Sequence, residues 1–143
     1  MMIDEEPEDV AADADLVDAA LRARGFAYVP YSRFAMGAAV RTAGGRTFPG
    51  ALVENVSLGL AMCAERIALF SAAVAGERPT ELALVSRRTA GELTWPCGAC
   101  LQVALELAGS GLIVHVGDLD GVRSSRLLSE LLPFGPKTVL SGG

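Results

Sequence analysis

The three cysteines of this chain are the residues whose types and spacing could do chemistry. Cys63 opens the run Cys-Ala-Glu-Arg at 63–66, and Cys97 and Cys100 stand in the run Pro-Cys-Gly-Ala-Cys at 96–100. An odd number of cysteines with a CxxC pattern argues against a disulfide framework and favours metal or redox work. Soft sulfur ligands suit a tetrahedral zinc ion, and three thiolates leave its fourth position open for catalysis.

Each half of this cysteine set is predicted to lie at the start of a helix. Cys97 and Cys100 are three residues apart, so on a helix both sulfurs lie on one face and can reach one ion. The N–H groups of a helix N-terminus carry partial positive charge, which favours the thiolate form that binds metal. Arg66, one turn after Cys63, is placed to donate hydrogen bonds to sulfur and offset the negative charge of three thiolates.

Glu65 is the candidate catalytic residue, because it follows Cys63 by two residues and is not needed as a metal ligand. Its predicted work is to take a proton from zinc-bound water and to return that proton to the substrate. A favourable charge in the first turn of a helix is the simpler alternative. His115, the single histidine, lies in a predicted buried strand. A packing role is favoured there over a role as fourth ligand, and both remain open.

The elements that must position these residues follow from the spacing of apolar residues and from turn signals. Predicted helices cover 11–23, 63–75, 97–108 and 126–132, and predicted strands cover 34–41, 46–53, 81–86 and 112–116. Gly44 and Gly45 indicate a hairpin turn, and residues 118–124 are predicted to be a polar turn. This order implies a mixed sheet with helices on both faces.

Composition limits the function classes. The chain has 143 residues, of which 51% are hydrophobic and 20% charged, so we expect one folded domain at 11–143 and a flexible acidic tail at 1–10. A net charge of -5 with a single lysine argues against binding to a nucleic acid polymer. The chain lacks an apolar run of about 18 to 20 residues, and its acidic start differs from a signal peptide. These features predict a cytoplasmic protein without a membrane partner.

With these motifs in place, the sequence resembles the small homotetrameric cytidine deaminases of the three-cysteine type. The resemblance covers about residues 28–134. It rests on Pro30-Tyr31-Ser32-Arg33-Phe34 with Gly37-Ala38-Ala39, on Val53-Glu54-Asn55, on Cys63-Ala64-Glu65-Arg66, and on Pro96-Cys97-Gly98-Ala99-Cys100 with Gln102. It implies a three-layer α/β/α fold with a mixed five-stranded sheet and a homotetramer in which the helices starting at Cys63 and Cys97 pack across the centre.

The resemblance also implies a reaction. Zinc held by Cys63, Cys97 and Cys100 would activate a water that attacks C4 of a cytosine ring, and Glu65 would shuttle the proton to N3 and then to the departing ammonia. The substrate would be a small molecule, namely cytidine, deoxycytidine or a close cytosine-nucleoside analogue. The product would be its uracil counterpart.

Substrate contacts are implied in the same way. The backbone at Ala64 would help to hold the base, Phe34 would stack near it, and Glu54 would hydrogen-bond the ribose 3′ hydroxyl. Trp95 is a candidate for the pocket wall, with packing as its alternative role. Phe134 is a candidate for the aromatic residue that a neighbouring subunit contributes to each site in similar enzymes.

Leu52 departs from the family pattern, which usually has a sugar-binding asparagine at this position. Leucine can neither donate nor accept, and a buried hydroxyl left unpaired costs about 1–3 kcal/mol. One interpretation is a different aminated heterocycle or a sugar-modified cytosine nucleoside antibiotic of the blasticidin S type as substrate. The other interpretation is that leucine is a tolerated replacement and cytidine is still accepted.

Two further function classes compete with this reading. A non-catalytic, zinc-stabilised module would explain the cysteines, but it has no need of Glu65 and would normally close the metal shell with a fourth ligand. A deaminase that edits RNA or DNA would share the site, but it needs a basic track along the polymer, which this acidic chain does not predict.

Overall fold

The alternation of helices and strands expected from the sequence is present in the computed structural model, which describes residues 15–137. The acidic tail predicted at 1–10 lies outside the described residues. The described elements, in chain order, are α1 (Leu16–Arg24), β1 (Met36–Thr42), β2 (Thr47–Ala51), a 3-10 turn (Leu58–Leu60), α2 (Ala64–Val74), β3 (Pro79–Ser86), α3 (Gly98–Ala108), β4 (Ile113–Gly117), β5 (Arg123–Leu127) and α4 (Leu128–Leu131).

The five strands form one mixed sheet in the order β2-β1-β3-β4-β5. Strands β3 and β4 run parallel, and every other neighbouring pair runs antiparallel. The β1–β2 hairpin turns where the glycine pair predicts it, and Gly45 adopts a φ of 87°, a left-handed conformation that glycine adopts without steric cost. The mixed five-stranded sheet is therefore confirmed.

The predictions for the C-terminal part are wrong in one respect. Residues 118–124 were expected to form a turn and 126–132 a helix, but Arg123–Leu127 is strand β5 and the helix is limited to Leu128–Leu131. Strand β5 is largely exposed at the edge of the sheet, so its sequence Arg-Ser-Ser-Arg-Leu lacks the apolar alternation that marks a half-buried strand. Its pairing with β4 maintains it.

Helices cover both faces of the sheet, which confirms the three-layer α/β/α arrangement. On one face, α1 packs its apolar side against small residues of β1 and β3, in a cluster that includes Val17, Ala20, Ala39 and Ala83. On the other face, α2 and α3 cover the larger core. Members of that core include Leu69 on α2, Leu82 and Leu84 on β3, Leu105 on α3 and Val114 on β4.

A glycine in β2 sets the distance between the sheet and α2. A Cβ atom added to Gly50 would lie 2.3 Å from the carbonyl oxygen of Ala64 and 2.7 Å from the backbone nitrogen of Ala68. The strand therefore passes directly against the first turns of α2 with no side chain between them. This contact fixes the position of the helix start, where Cys63 and Glu65 lie.

Candidate metal centre and active site

Two helix starts bring the three cysteines together. Cys63 is the residue immediately before α2 and Cys97 the residue immediately before α3, and both have extended backbone there. Cys100 lies in the first turn of α3 and is buried, whereas Cys63 is half-buried and Cys97 exposed. The three sulfur atoms all lie within 4.8 Å of one another, and those of Cys97 and Cys100 are 3.6 Å apart.

These distances fit a zinc ion. A tetrahedral site with Zn–S bonds of about 2.3 Å requires its sulfur ligands to lie roughly 3.8 Å apart, close to the spacing observed. Within residues 15–137 the cysteine set is the only group of histidine, cysteine or acidic side chains that converges in this way. His115 is not part of it, because its ring nitrogens contact Ser125 and Glu81 instead.

The electrostatics of the cluster favour a thiolate. Hydrogen bonds from the Cys100 thiol and from the Arg66 guanidinium lower the pKa of Cys63 to about 5. Arg66 Nη2 donates to Cys63 Sγ at 3.2 Å. The same thiol–thiolate contact, together with burial, raises the pKa of Cys100. The charged form that binds metal is therefore already stabilised at one of the three sulfurs.

Replacement of Arg66 by methionine is expected to weaken zinc binding about 10- to 100-fold, because methionine keeps the unbranched stem but removes the charge and the donors that face Cys63 Sγ. Competition with a chromophoric zinc chelator measures this change. Arg22→Met, on the exposed side of α1, is the matched control. Equal zinc affinity in both variants would show that the Arg66–sulfur contact is incidental.

Glu65 is buried at the start of α2, with 3% of its surface exposed. Burial, and then the nearby Cys63 charge, raise its pKa to about 7. A carboxyl group that titrates near neutrality can both accept and release a proton during a reaction cycle. The chemistry available at this position is therefore proton transfer beside the sulfur cluster.

Segment 52–54 connects the metal cluster to the loop that carries Phe34. Val53 exchanges backbone hydrogen bonds with Met62, the residue before Cys63, at 3.1 and 2.9 Å. On its other side, the N–H of Tyr28 donates to the carbonyl of Leu52 at 2.8 Å. The segment that contains Leu52 is thus hydrogen-bonded on one side to the residue before Cys63 and on the other side to the start of the loop that carries Phe34.

Glu54 is held by that loop. Its Oε1 atom accepts hydrogen bonds from the backbone N–H groups of Tyr31 and Ser32, at 3.1 and 3.2 Å. Hydrogen bonds from the hydroxyl and backbone of Ser32 and from the backbone of Tyr31 hold the pKa of this exposed carboxyl below its usual range. Glu54 is therefore a fixed, ionised acceptor.

Phe34 and Trp95 each pack against an arginine that the sequence did not identify. Arg87 places its guanidinium carbon 5.0 Å from the centre of the Phe34 ring, and Arg126 lies 5.9 Å from the Trp95 ring. Arg87 directly follows Ser86, the last residue of β3, and Phe34 lies two residues before Met36, the first residue of β1. Because Met36 pairs with Ser86, the pairing of the two strands brings Arg87 to Phe34. A sequence pattern carries no signal for such a contact. Phe134 is 94% exposed in the single chain.

Three convergent cysteine sulfurs at two helix starts, beside a buried carboxyl group, form the arrangement expected of a zinc hydrolase. In residues 15–137, moreover, every helix is too short or too polar to cross a bilayer.

Comparisons with known proteins identify the family. Residues 11–116 match the model of the cytidine and deoxycytidylate deaminase zinc-binding region. The cytidine deaminase of Halalkalibacterium halodurans is 45% identical over 82% of this chain and 89% of that protein. The crystal structure of cytidine deaminase from Burkholderia pseudomallei superposes with a TM-score of 0.79 at 44% identity, over 85% of this chain and 96% of that chain.

A second solved structure, cytidine deaminase from Mycobacterium tuberculosis, gives a TM-score of 0.70 at 40% identity, covering 86% of this chain and 98% of that one. The chain belongs to the cytidine and deoxycytidylate deaminase zinc-binding family. It is a zinc hydrolase of that family, and its three-cysteine cluster fits Zn²⁺.

Proposed function

We propose that this protein deaminates cytidine, deoxycytidine or a close cytosine-nucleoside analogue to the uracil counterpart, with release of ammonia. The observation that carries the proposal is the convergence of three sulfur atoms within 4.8 Å beside the buried Glu65. Relatives named cytidine deaminase, at up to 45% identity, support the same activity. A net charge of -5 favours free nucleosides over nucleic acid polymers as substrates, and we propose that the protein acts in the cytoplasm.

The mechanism follows from the residues around the cluster. Cys63, Cys97 and Cys100 would hold the zinc ion, which, when bound, acts as a Lewis acid that lowers the pKa of water. Glu65 removes a proton from the attacking water and delivers it to N3 of the ring. The water oxygen bonds to C4. Glu65 then takes the second proton from this new C4 hydroxyl group and gives it to the C4 amino group, so that the C4–N bond breaks, the C4–O bond becomes the carbonyl of the uracil product, and ammonia leaves.

Arg66 supports this chemistry without touching the substrate. Its hydrogen bond to Cys63 Sγ offsets part of the negative charge that three thiolates bring to the ion. A less negative ligand set leaves the ion more able to withdraw charge from water. Proton transfer to Glu65 is thereby favoured.

The substrate is held by one set of residues that contacts the base and by residues of the segment 52–54 that face the sugar. Phe34 stacks near the base, the backbone at Ala64 contacts it, and Trp95 forms part of the wall. Glu54, fixed by the N–H groups of the Phe34 loop, accepts a hydrogen bond from the ribose 3′ hydroxyl. Leu52 faces the sugar with no group that can pair with it.

The substitution at Leu52 favours a substrate whose sugar differs from ordinary ribose, including a sugar-modified cytosine nucleoside antibiotic of the blasticidin S type or a related aminated heterocycle. Side-by-side assays of cytidine, 2′-deoxycytidine and 2′,3′-dideoxycytidine are expected to give kcat/KM values within about tenfold of one another, because Glu54 is the one proposed partner of the 3′ hydroxyl and Leu52 adds none. Leu52→Asn is expected to raise kcat/KM for cytidine about 10- to 100-fold, because it restores a partner worth about 1–3 kcal/mol.

Leu52→Met is the matched control, since it keeps the volume and adds no donor. A strong preference of the unmodified protein for cytidine over the dideoxy compound would contradict the altered-sugar proposal, while the deaminase assignment would stand. A blasticidin-type substrate is then tested directly by ammonia release.

We also propose a homotetramer in which neighbouring subunits complete each site. Large apolar side chains on α2 and on the loop before it are exposed in the single chain, as is Phe134. These side chains are Leu58, Leu60, Phe70 and Val74. Packing of such surfaces between copies would remove them from water, and would bring Phe134 of one copy to the pocket of another.

A further inference from the structure

A second polar site lies on the face of the sheet opposite the cysteine cluster. His115 on β4 is directly paired with Ser125 on β5, and Glu81 lies on β3 on the same face. His115 Nδ1 lies 2.7 Å from Ser125 Oγ, and its Nε2 lies 2.9 Å from Glu81 Oε1. A carboxylate, an imidazole and a hydroxyl group are thus connected in series across three neighbouring strands.

In a neutral imidazole, the two partners select the tautomer. An ionised carboxylate only accepts, so Nε2 of His115 carries the hydrogen that it donates to Glu81. Nδ1 of the neutral ring is then an acceptor, and the Ser125 hydroxyl donates to it. Nucleophilic serines are activated by this arrangement, which is recognised by the geometry and roles of its members rather than by sequence order.

The three side chains open onto a cleft of about 300 Å³ at the N-terminal end of α1. Ser125 is exposed, and the side chains of His115 and Glu81 are 23% and 31% exposed, so a small molecule can reach the hydroxyl. Arg41, Arg123 and Asp15 also line the cleft, and the Arg123 guanidinium donates to Asp15 and Asp18.

We propose that Ser125 is a nucleophile that accepts the acyl group of small carboxylic esters, with His115 as general base and Glu81 as the residue that positions it. The site is independent of the deaminase activity, because it faces α1, whereas the cysteines face the other layer of the fold.

The proposed reaction has two balanced steps. Ser125 Oγ forms a bond to the ester carbonyl carbon while its proton passes to His115 Nδ1, and the bond to the leaving alcohol breaks as that proton is transferred to it. Water then gives a proton to His115 Nδ1 and adds to the acyl carbon. Release of the carboxylic acid returns the proton to Ser125 Oγ. No oxidant, reductant or metal takes part.

The test uses the zinc-loaded protein with 4-nitrophenyl acetate. We expect release of nitrophenolate above the rate without protein, and an acetyl group on the peptide that contains Ser125 in mass spectra of quenched samples. Ser125→Ala and His115→Gln are expected to lower the rate about 100-fold or more. Glu81→Gln is expected to lower it less and to shift its pH profile, because the ring loses the carboxylate that orients it.

Ser124→Ala is the matched control, since Ser124 precedes Ser125 on the same strand and its side chain points to the opposite face. This variant is expected to keep the full esterase rate, and zinc content confirms the fold of each variant. Acetyl groups found only on other residues, or equal rates for Ser125→Ala and Ser124→Ala, would overturn the proposal. A fluorophosphonate probe that leaves Ser125 of the unmodified protein unlabelled would do the same.

Discussion

Glu65→Gln is expected to lower the turnover number for cytidine, or for whichever cytosine nucleoside is turned over fastest, by about 10²- to 10⁴-fold, the contribution of a positioned general acid–base. The amide has nearly the same shape as the carboxyl group, so the buried site at the start of α2 stays filled. It can neither take the proton of water nor protonate the departing amino group. Ammonia release measures the turnover, and atomic absorption measures the zinc.

Glu106→Gln is the control for this substitution, because Glu106 is an exposed carboxylate on α3. Normal turnover is expected for it. A Glu65→Gln protein that keeps its zinc and more than a tenth of the activity would contradict the assignment of proton transfer to Glu65. Loss of zinc from this variant would instead indicate that the carboxylate holds the ion.

Cys100→Ser is expected to abolish both zinc binding and activity and to lower the melting temperature by about 10 °C. A ligand that binds only the folded chain stabilises it by about 4 kcal/mol at a thousand times its Kd, and in a domain of this size each kcal/mol shifts the melting temperature by about 2–4 °C. The Cys100 sulfur is buried within the cluster of three, and a serine hydroxyl group is a much poorer zinc ligand than a thiolate.

Zinc analysis, turnover and calorimetric melting check this expectation. Ala108→Ser is the control, because it also introduces a hydroxyl at a buried position of α3 but lies at the other end of the helix. Removal of zinc from the unmodified protein by a chelator is expected to reproduce the loss of stability. Retention of one zinc ion per chain by Cys100→Ser would show that the sulfur is dispensable.

The buried elements of the fold are predictable from the sequence, and the exposed edge strand is not. Strand β3 has the apolar run that burial on both faces requires, β4 has buried valines on the face that meets α2 and α3, and these two helices begin at residues that their local sequence marks. Strand β5 has an exposed sequence that is consistent with a turn or a helix. Its conformation depends on pairing with β4, which is a tertiary interaction.

The contacts of the site also divide into those that the sequence predicts and those that depend on the tertiary fold. The cysteines, Glu65 and Arg66 lie within two short motifs at helix starts, and the spacing within each motif predicts which of its own side chains share a face. The meeting of the two motifs was expected from the chemistry of a zinc site, since three thiolates suit one ion. Two other contacts join segments that are about 20 to 50 residues apart. Arg87 packs against Phe34, and the backbone N–H groups of Tyr31 and Ser32 donate to Glu54. Such contacts depend on strand register and loop geometry, which residue spacing does not encode.

Gly50 has a consequence for how substrate preference can change in this enzyme. The backbone of β2 rests on the backbone of α2 there, and two residues later the same strand segment presents Leu52. The segment that carries the cysteine cluster and the segment that carries Leu52 are thus in direct backbone contact, with no side chain between them that could adjust their spacing. If Leu52 and Glu54 face the sugar as proposed, a new sugar specificity is expected to arise from exchange of these side chains rather than from a change in the spacing between β2 and α2.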